Sequence, residues 1–378
     1  MQENFFRMIY FFLFYGISCL TGMLIPFLNN KGFDPIMTGS LIGFFTMFSV
    51  GSQFLTGYFC DRYKTIKKIL IFLIITTTVS GVFSIFFNIG IIFYISFFIL
   101  GFSSASLASL VDSFVLESEE NIKSKFGKLR SFASIGWASG VLMSGIIVSN
   151  FGYNFVAIIS TITLSISIFL ISRLNDVKKD CCDKISLKPL IININYDFIL
   201  LTLLIICISF RCHYQLIPYS INYLGGDTFH VGLYYFISSI SEIIMLMLTM
   251  SIMHKISPDK LLIITPIALF IQLVTIYFAN NLIFIFISAS LQVFTYPIII
   301  MVGRIIVDRV SPTHLRTTSQ LIAFAVYNSF AMIIASFLIG FLVDYSNIKF
   351  AILCVIAITF ISFIMSLFYD RNTIDKTL

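Results

Sequence analysis

Asp112 and Arg130 flank one short charged stretch, ESEENIKSKFGK (117–128), and a long apolar run lies beyond each of them. If those runs are antiparallel helices joined by the charged hairpin, the carboxylate and the guanidinium can face each other. Such a fork neutralises its own charge while offering acceptors and a planar set of donors to hydroxyl groups. Trp137 lies seven residues beyond Arg130. At about 100° per residue the two project from one helical face. An aromatic plane beside a polar fork can hold a ring whose C–H groups stack and whose hydroxyls go to the charged pair. The plainer alternative is a helix-pairing ion pair next to a packed tryptophan.

Three more ionisable groups sit inside apolar runs. Glu242 is in VGLYYFISSISEIIML, and Arg211 and His213 are in CISFRCHYQLIP. A charge at mid-bilayer costs at least ~2.5–3.5 kcal/mol on insertion scales, so each needs a polar cavity or a partner. Arg211 could pair with ionised Glu242 and be released when the acid takes a proton. His213 titrates near neutrality and could share that role. Otherwise it is a hydrogen-bonded pore residue.

The elements that carry these groups follow from composition. The 378 residues are 58% hydrophobic and only 11% charged, against about 25% charged in soluble domains. The chain is therefore read as an all-α integral membrane protein. A span needs about 20 apolar residues. Twelve are expected: 5–28, 36–59, 69–87, 91–115, 128–149, 154–173, 197–223, 229–251, 261–278, 283–306, 317–343 and 348–368. The run 5–28 is too long for a signal-peptide core and reads as the first span. The polar stretch 174–196 divides an N-terminal half (1–173) from a C-terminal half (197–378), each of six helices.

Of the 24 Lys and Arg residues, twenty fall on the side of the N-terminus. Lys31 and Lys349 fall on the other, and Arg130 and Arg211 lie within spans. This bias predicts a cytoplasmic-membrane protein with both termini cytoplasmic. It also accounts for the net charge of +6 without a nucleic-acid partner. Cys19, Cys60, Cys181, Cys182, Cys207, Cys212 and Cys354 are scattered without metal-ligand spacing and read as small apolar residues, the pair Cys181–Cys182 in its charged stretch as reduced and cytoplasmic. No metal is expected. No catalytic motif or nucleotide-binding loop occurs, so the chain is expected to be neither an enzyme nor ATP-driven.

Two six-helix halves resemble the major facilitator architecture, with a midplane site and alternating access. GYFCDRYKTIKK (57–68) resembles its loop signature, with Gly57, Asp61 and Arg62 followed by lysines. There Gly57 would let helices approach closely and Asp61 would latch one conformation; a tight turn is the simpler reading. SIMHKISPDK (251–260), in the second half, is a poor copy.

FGKLRSFASIGWASG (126–140) and DSFVL (112–116) are similar to the oligosaccharide:proton symporter family, that of the lactose permeases. GMLIPFL (22–28), TGSLIGFFTMFSVGSQFLTG (38–57) and FAMIIASFLIG (330–340) extend a weak similarity over nearly the whole chain. The resemblance implies a secondary transporter importing a sugar or glycoside with a proton, working as a monomer, with no cofactor beyond the proton gradient. It implies substrate binding by Asp112, Arg130 and Trp137, and a part for Glu242 in both substrate binding and proton coupling. Gln292 is added as a substrate-binding candidate, and Arg211 and His213, read from the residues themselves, are the candidates to couple the proton with Glu242. Asp112 stands where the family has glutamate. The family's proton-release cluster is replaced: Gln272 stands at its arginine, Gln292 at its histidine and Thr295 at its glutamate. Ala289 and Asn328 occupy its lysine positions. Amides and hydroxyls cannot exchange protons near neutrality. The proton site has moved, or transport is not proton-driven. Alternative cargoes are a nucleoside, an aromatic acid or an exported drug. A sensor or assembly factor that binds solute without moving it would usually append a soluble domain.

Overall fold

The computed structural model describes residues 2–118, 125–176, 194–253, 256–311 and 316–374. Cys181, Cys182 and most of the expected linker 174–196 lie outside them, as does the side chain of Asp61. Among the described residues, twelve helices are long and apolar enough to cross a membrane, from Glu3–Asn30 to Ile348–Tyr369. Their bounds agree with the expected spans to within a few residues. That agreement has a physical origin: backbone in hydrocarbon must satisfy its own hydrogen bonds, so each apolar run folds as a helix.

Three spans are interrupted. The first runs Gln2–Thr21, turns at Gly22 and Met23, and resumes over Leu24–Asn30. Span ten breaks at a 3₁₀ turn, Leu291–Phe294, before the helix Tyr296–Val310. Pro297 is the second residue of that helix, in the first turn, where a backbone N–H has no intrahelical acceptor and its absence costs little. Span eleven contains a π turn, Ala325–Phe330, between Arg316–Phe324 and Ala331–Tyr345. Pro218 and Pro266 stay within unbroken helices.

By their contacts the residues form two compact units. The first comprises Met1–Phe33, Phe44–Asp183 and Asp227–Phe236; the second comprises Asp34–Gly43, Lys184–Gly226 and Ile237–Leu378. In the first, span one packs on spans five and six, and span three on span four. Hydroxyls join the helices: Ser52 to Ser106 at 2.5 Å and Thr77 to Ser103 at 2.9 Å. Interhelical hydroxyl bonds and small residues are the usual means of association where both solvent and side chains are apolar. Gly232 seats its backbone on span five, where a Cβ would meet Val141 O at 3.0 Å and Gly145 Cα at 3.2 Å. Lys31, beyond the end of span one, donates to the carbonyls of Ile85 (2.7 Å) and Phe87 (2.9 Å) at the end of span three. Partial burial lowers its ammonium pKa below the usual range.

In the second unit, span seven packs on spans eleven and twelve, and span nine on span twelve. Tyr196, Leu203, Phe210, Leu269, Val302 and Tyr327 belong to its buried core. Ser209 bonds to Thr359, and Ser362 donates to Ile205 O at 3.2 Å. Gly340 meets the start of span two here, and a Cβ on it would lie 2.6 Å from Pro35 O.

Candidate functional site

Span five is held against span one by two glycines one turn apart. A Cβ on Gly136 would lie 3.1 Å from Phe11 Cα, and one on Gly140 would lie 2.6 Å from Tyr15 O. This close seating brings Arg130, at the start of span five, beside Tyr10 and Phe14 of span one. Arg130 Nε lies 3.2 Å from Asp112 Oδ1 and donates to Oδ2 at 3.3 Å. Tyr10 donates its hydroxyl hydrogen to Asp112 Oδ1 at 2.7 Å. The guanidinium carbon lies 4.7 Å from the Phe14 ring centre and 6.0 Å from that of Tyr10.

The fork read from the sequence is therefore formed, with a tyrosine as its third member. Tyr10 is fully buried, whereas the side chains of Arg130 and Asp112 keep 35% and 27% exposure. Only Nε of the arginine is used on the carboxylate. Among the described residues the two terminal nitrogens have no hydrogen-bond partner, so they can donate to a solute. Trp137 lies two turns along the same helix, is half-buried and stacks on no other described ring.

In the second unit, three residues from three spans form one hydrogen-bonded chain. Gln272 Nε2 donates to Gln292 Oε1 at 3.4 Å, and Gln292 Nε2 donates to Glu242 Oε1 at 3.2 Å. Gln272 also donates to Ser288 O at 2.9 Å, and Thr295 to Gln292 O at 3.1 Å. The 3₁₀ turn of span ten places Gln292 in this chain. Both glutamines are buried, and Glu242 is half-buried at the end of the series. Gln272 Oε1 is buried without a partner among the described residues.

Arg211 is not ion-paired with Glu242. It donates to Asn328 Oδ1, on the π turn of span eleven. Its guanidinium lies against Phe210 and Tyr296, 5.5 and 5.3 Å from their ring centres, and those two rings are themselves stacked. One turn further, Gln215 Nε2 donates to Ser336 Oγ at 2.9 Å. Arg211 and Gln215 thus bind one face of span eleven. His213 is about 200° around the helix from Arg211. It is 1% exposed, and neither ring nitrogen has a partner among the described residues.

In the last turns of the helix Pro35–Tyr63, Arg62 is exposed and donates to the Tyr58 hydroxyl at 3.4 Å. Gly57 does not sit at a close approach, since a Cβ there would meet no atom within 4 Å. In the second half, by contrast, Asp259, in the segment whose sequence copies the loop signature poorly, forms a two-bond pair at 3.0 and 3.1 Å with Arg309 in the last turn of the helix Tyr296–Val310.

The model of the MFS_1 like family matches residues 5–331. The chain belongs to that family. It is a membrane transporter of the major facilitator fold. None of the curated proteins matches it significantly. Solved structures share the fold at low identity. A mutant of the nucleoside transporter NupG superposes with a TM-score of 0.83 at 12% identity, over 97% of this chain and 98% of that one. The POT family transporter PepTSo gives 0.77 at 11% identity, over 98% of both chains. A D-xylose-proton symporter gives 0.69 at 14% identity, over 97% of this chain and 96% of that one.

Proposed function

We propose that this transporter moves a small polyhydroxylated solute, a sugar or glycoside, inward across the cytoplasmic membrane, with both termini cytoplasmic. The observation that carries this reading is the Tyr10–Asp112–Arg130 cluster. Its carboxylate is anchored from two sides, and two donor nitrogens of its guanidinium have no partner among the described residues. Paired acceptor and planar donors suit adjacent hydroxyls better than they suit a net charge, because the pair is already neutral. Trp137, half-buried along the same helix, supplies the stacking surface. The fold is shared with a nucleoside transporter and a D-xylose-proton symporter, and a nucleoside presents a similar ring with hydroxyls. Thermal stabilisation of the purified protein by a panel of sugars, glycosides and nucleosides, repeated with Arg130→Lys, tests the site. A stabilising ligand lost in Arg130→Lys supports it; one retained at full strength removes the arginine from the site.

Glu242 is the carboxylate proposed to take the coupling proton. It ends a chain of amides that cannot titrate, so a proton arriving in this cluster has one place to reside. A second reading, uniport, draws support from the neutral partner of Arg211: the cation is already satisfied by Asn328 without the acid. Uptake into proteoliposomes with and without an inward proton gradient separates the two. Equal accumulation in both removes the symport reading.

A further inference from the structure

A cavity of about 410 Å³ opens between spans two, three and four of the first unit, far from Asp112 and Arg130 in role and composition. Its walls are Phe59, Tyr63, Ile69, Phe72, Leu73 and Phe102, with Thr56, Thr65 and Lys68 as the polar lining groups. Its volume falls in the range of ligand sites, about 300–1,000 Å³.

Chemistry is divided along its length. Lys68 stands one residue inside the helix Lys67–Phe86, at the membrane edge. Its ammonium has no ion pair or hydrogen bond among the described residues, and its side chain is exposed. Arg62 and Lys64, both exposed, precede it on the same turn of chain. Lys67 is already committed to the carbonyls of Ser172 and Leu174. The apolar walls run inward from this edge. Thr56 is seven residues, about 10 Å of helix rise, from Tyr63. Phe102 is near the middle of span four, Ile91–Leu116. The cavity therefore runs from a basic rim to about half the hydrocarbon thickness of ~30 Å. Phe59, Tyr63 and Phe72 leave 38%, 62% and 63% of their surface open.

We infer that this cavity is a site for one anionic phospholipid, its headgroup phosphate at Lys68 and an acyl chain between Phe59, Phe72 and Phe102. A basic rim over an apolar slot one leaflet deep matches a lipid in both charge and length. A soluble anion would leave the slot empty, and a zwitterionic lipid brings its own cation to the phosphate, so it adds no net negative charge at the basic rim. Basic pockets between spans on the cytoplasmic side recognise anionic headgroups in this way. Only the choice of leaflet rests on the orientation proposed above.

The test is lipid binding to the purified full chain, measured by native mass spectrometry. Phosphatidylglycerol competes with phosphatidylcholine of identical acyl chains. The wild type is expected to retain one phosphatidylglycerol with a preference of about fivefold. Lys68→Gln, at an exposed position with no described partner, should abolish the preference. Lys128→Gln, an equal charge change at the start of span five, should leave it intact. Phe102→Trp should fill the deep end and reduce occupancy by either lipid. Equal retention of the two lipids by the wild type overturns the proposal, as does an equal loss of preference in Lys128→Gln and Lys68→Gln. No transport is measured, so a negative result leaves the proposed cargo untouched.

Discussion

Tyr10 reaches Asp112 across 102 positions of sequence, its hydroxyl 2.7 Å from Oδ1. The carboxylate is thereby fixed from span one while Arg130 holds it from span five. Removing the tyrosine oxygen should loosen the acid without emptying the site. Tyr10→Phe is expected to weaken solute binding about tenfold, the effect of losing a hydrogen bond to a charged group. Titration calorimetry with the best-stabilising ligand checks it, and an unchanged melting temperature without ligand separates the effect from misfolding.

Glu242→Gln keeps the size of the side chain and can still accept from Gln292, but cannot take a proton. Gradient-driven accumulation should fall to background in proteoliposomes, while exchange of labelled for unlabelled solute continues. Accumulation that survives in Glu242→Gln places the coupling proton elsewhere.

Arg211 depends on Asn328 for its acceptor. Asn328→Leu leaves a half-buried guanidinium short of an acceptor, at a cost of about 1–3 kcal/mol. A lowered melting temperature should report it. Asn328→Asp should restore or exceed the wild-type value by supplying a carboxylate. If both variants melt like the wild type, the Asn328 contact contributes nothing to stability.

Asp259 is nearly buried and takes two hydrogen bonds from Arg309, whose side chain keeps 45% exposure. The acid also lies in the first turn of its helix, where it favours the dipole. Asp259→Ala is expected to cost about 1 kcal/mol, solvent at the arginine limiting the loss. Comparing melting curves at low and high salt checks it, because the wild-type advantage should shrink with salt.

Much of the architecture was legible because the bilayer leaves few choices. An apolar run of the right length in oil must be a helix, and Asp112 and Arg130 lie on consecutive antiparallel helices, so their meeting follows from hairpin geometry. Tyr10 was not legible. It is one of 17 tyrosines, its partner is distant in sequence, and hydropathy does not distinguish it from its neighbours. Gln272 and Gln292 stood out only as neutral replacements, and that they bond to each other and to Glu242 depends on the turn at Leu291–Phe294. Arg211 was expected to seek Glu242 as the carboxylate within the next apolar span. A neutral acceptor on span eleven holds it instead, because the π turn presents Asn328 there, and no glycine or proline marks that turn. Gly57 misled in the other direction: a glycine at a familiar offset need not be a close approach.

The π turn at Ala325–Phe330 carries a wider implication. A π turn holds one residue more than the α turn it replaces. Shifting or deleting that extra residue would rotate Ala331–Tyr345 by about 100° relative to Arg316–Phe324. A single-residue deletion here is thus a larger event than most substitutions: it would carry Asn328 away from Arg211 and swing Ser336 off Gln215 together. Related chains that differ by one residue at this point should present different side chains to span seven, and so provide a natural series for comparing what each one carries.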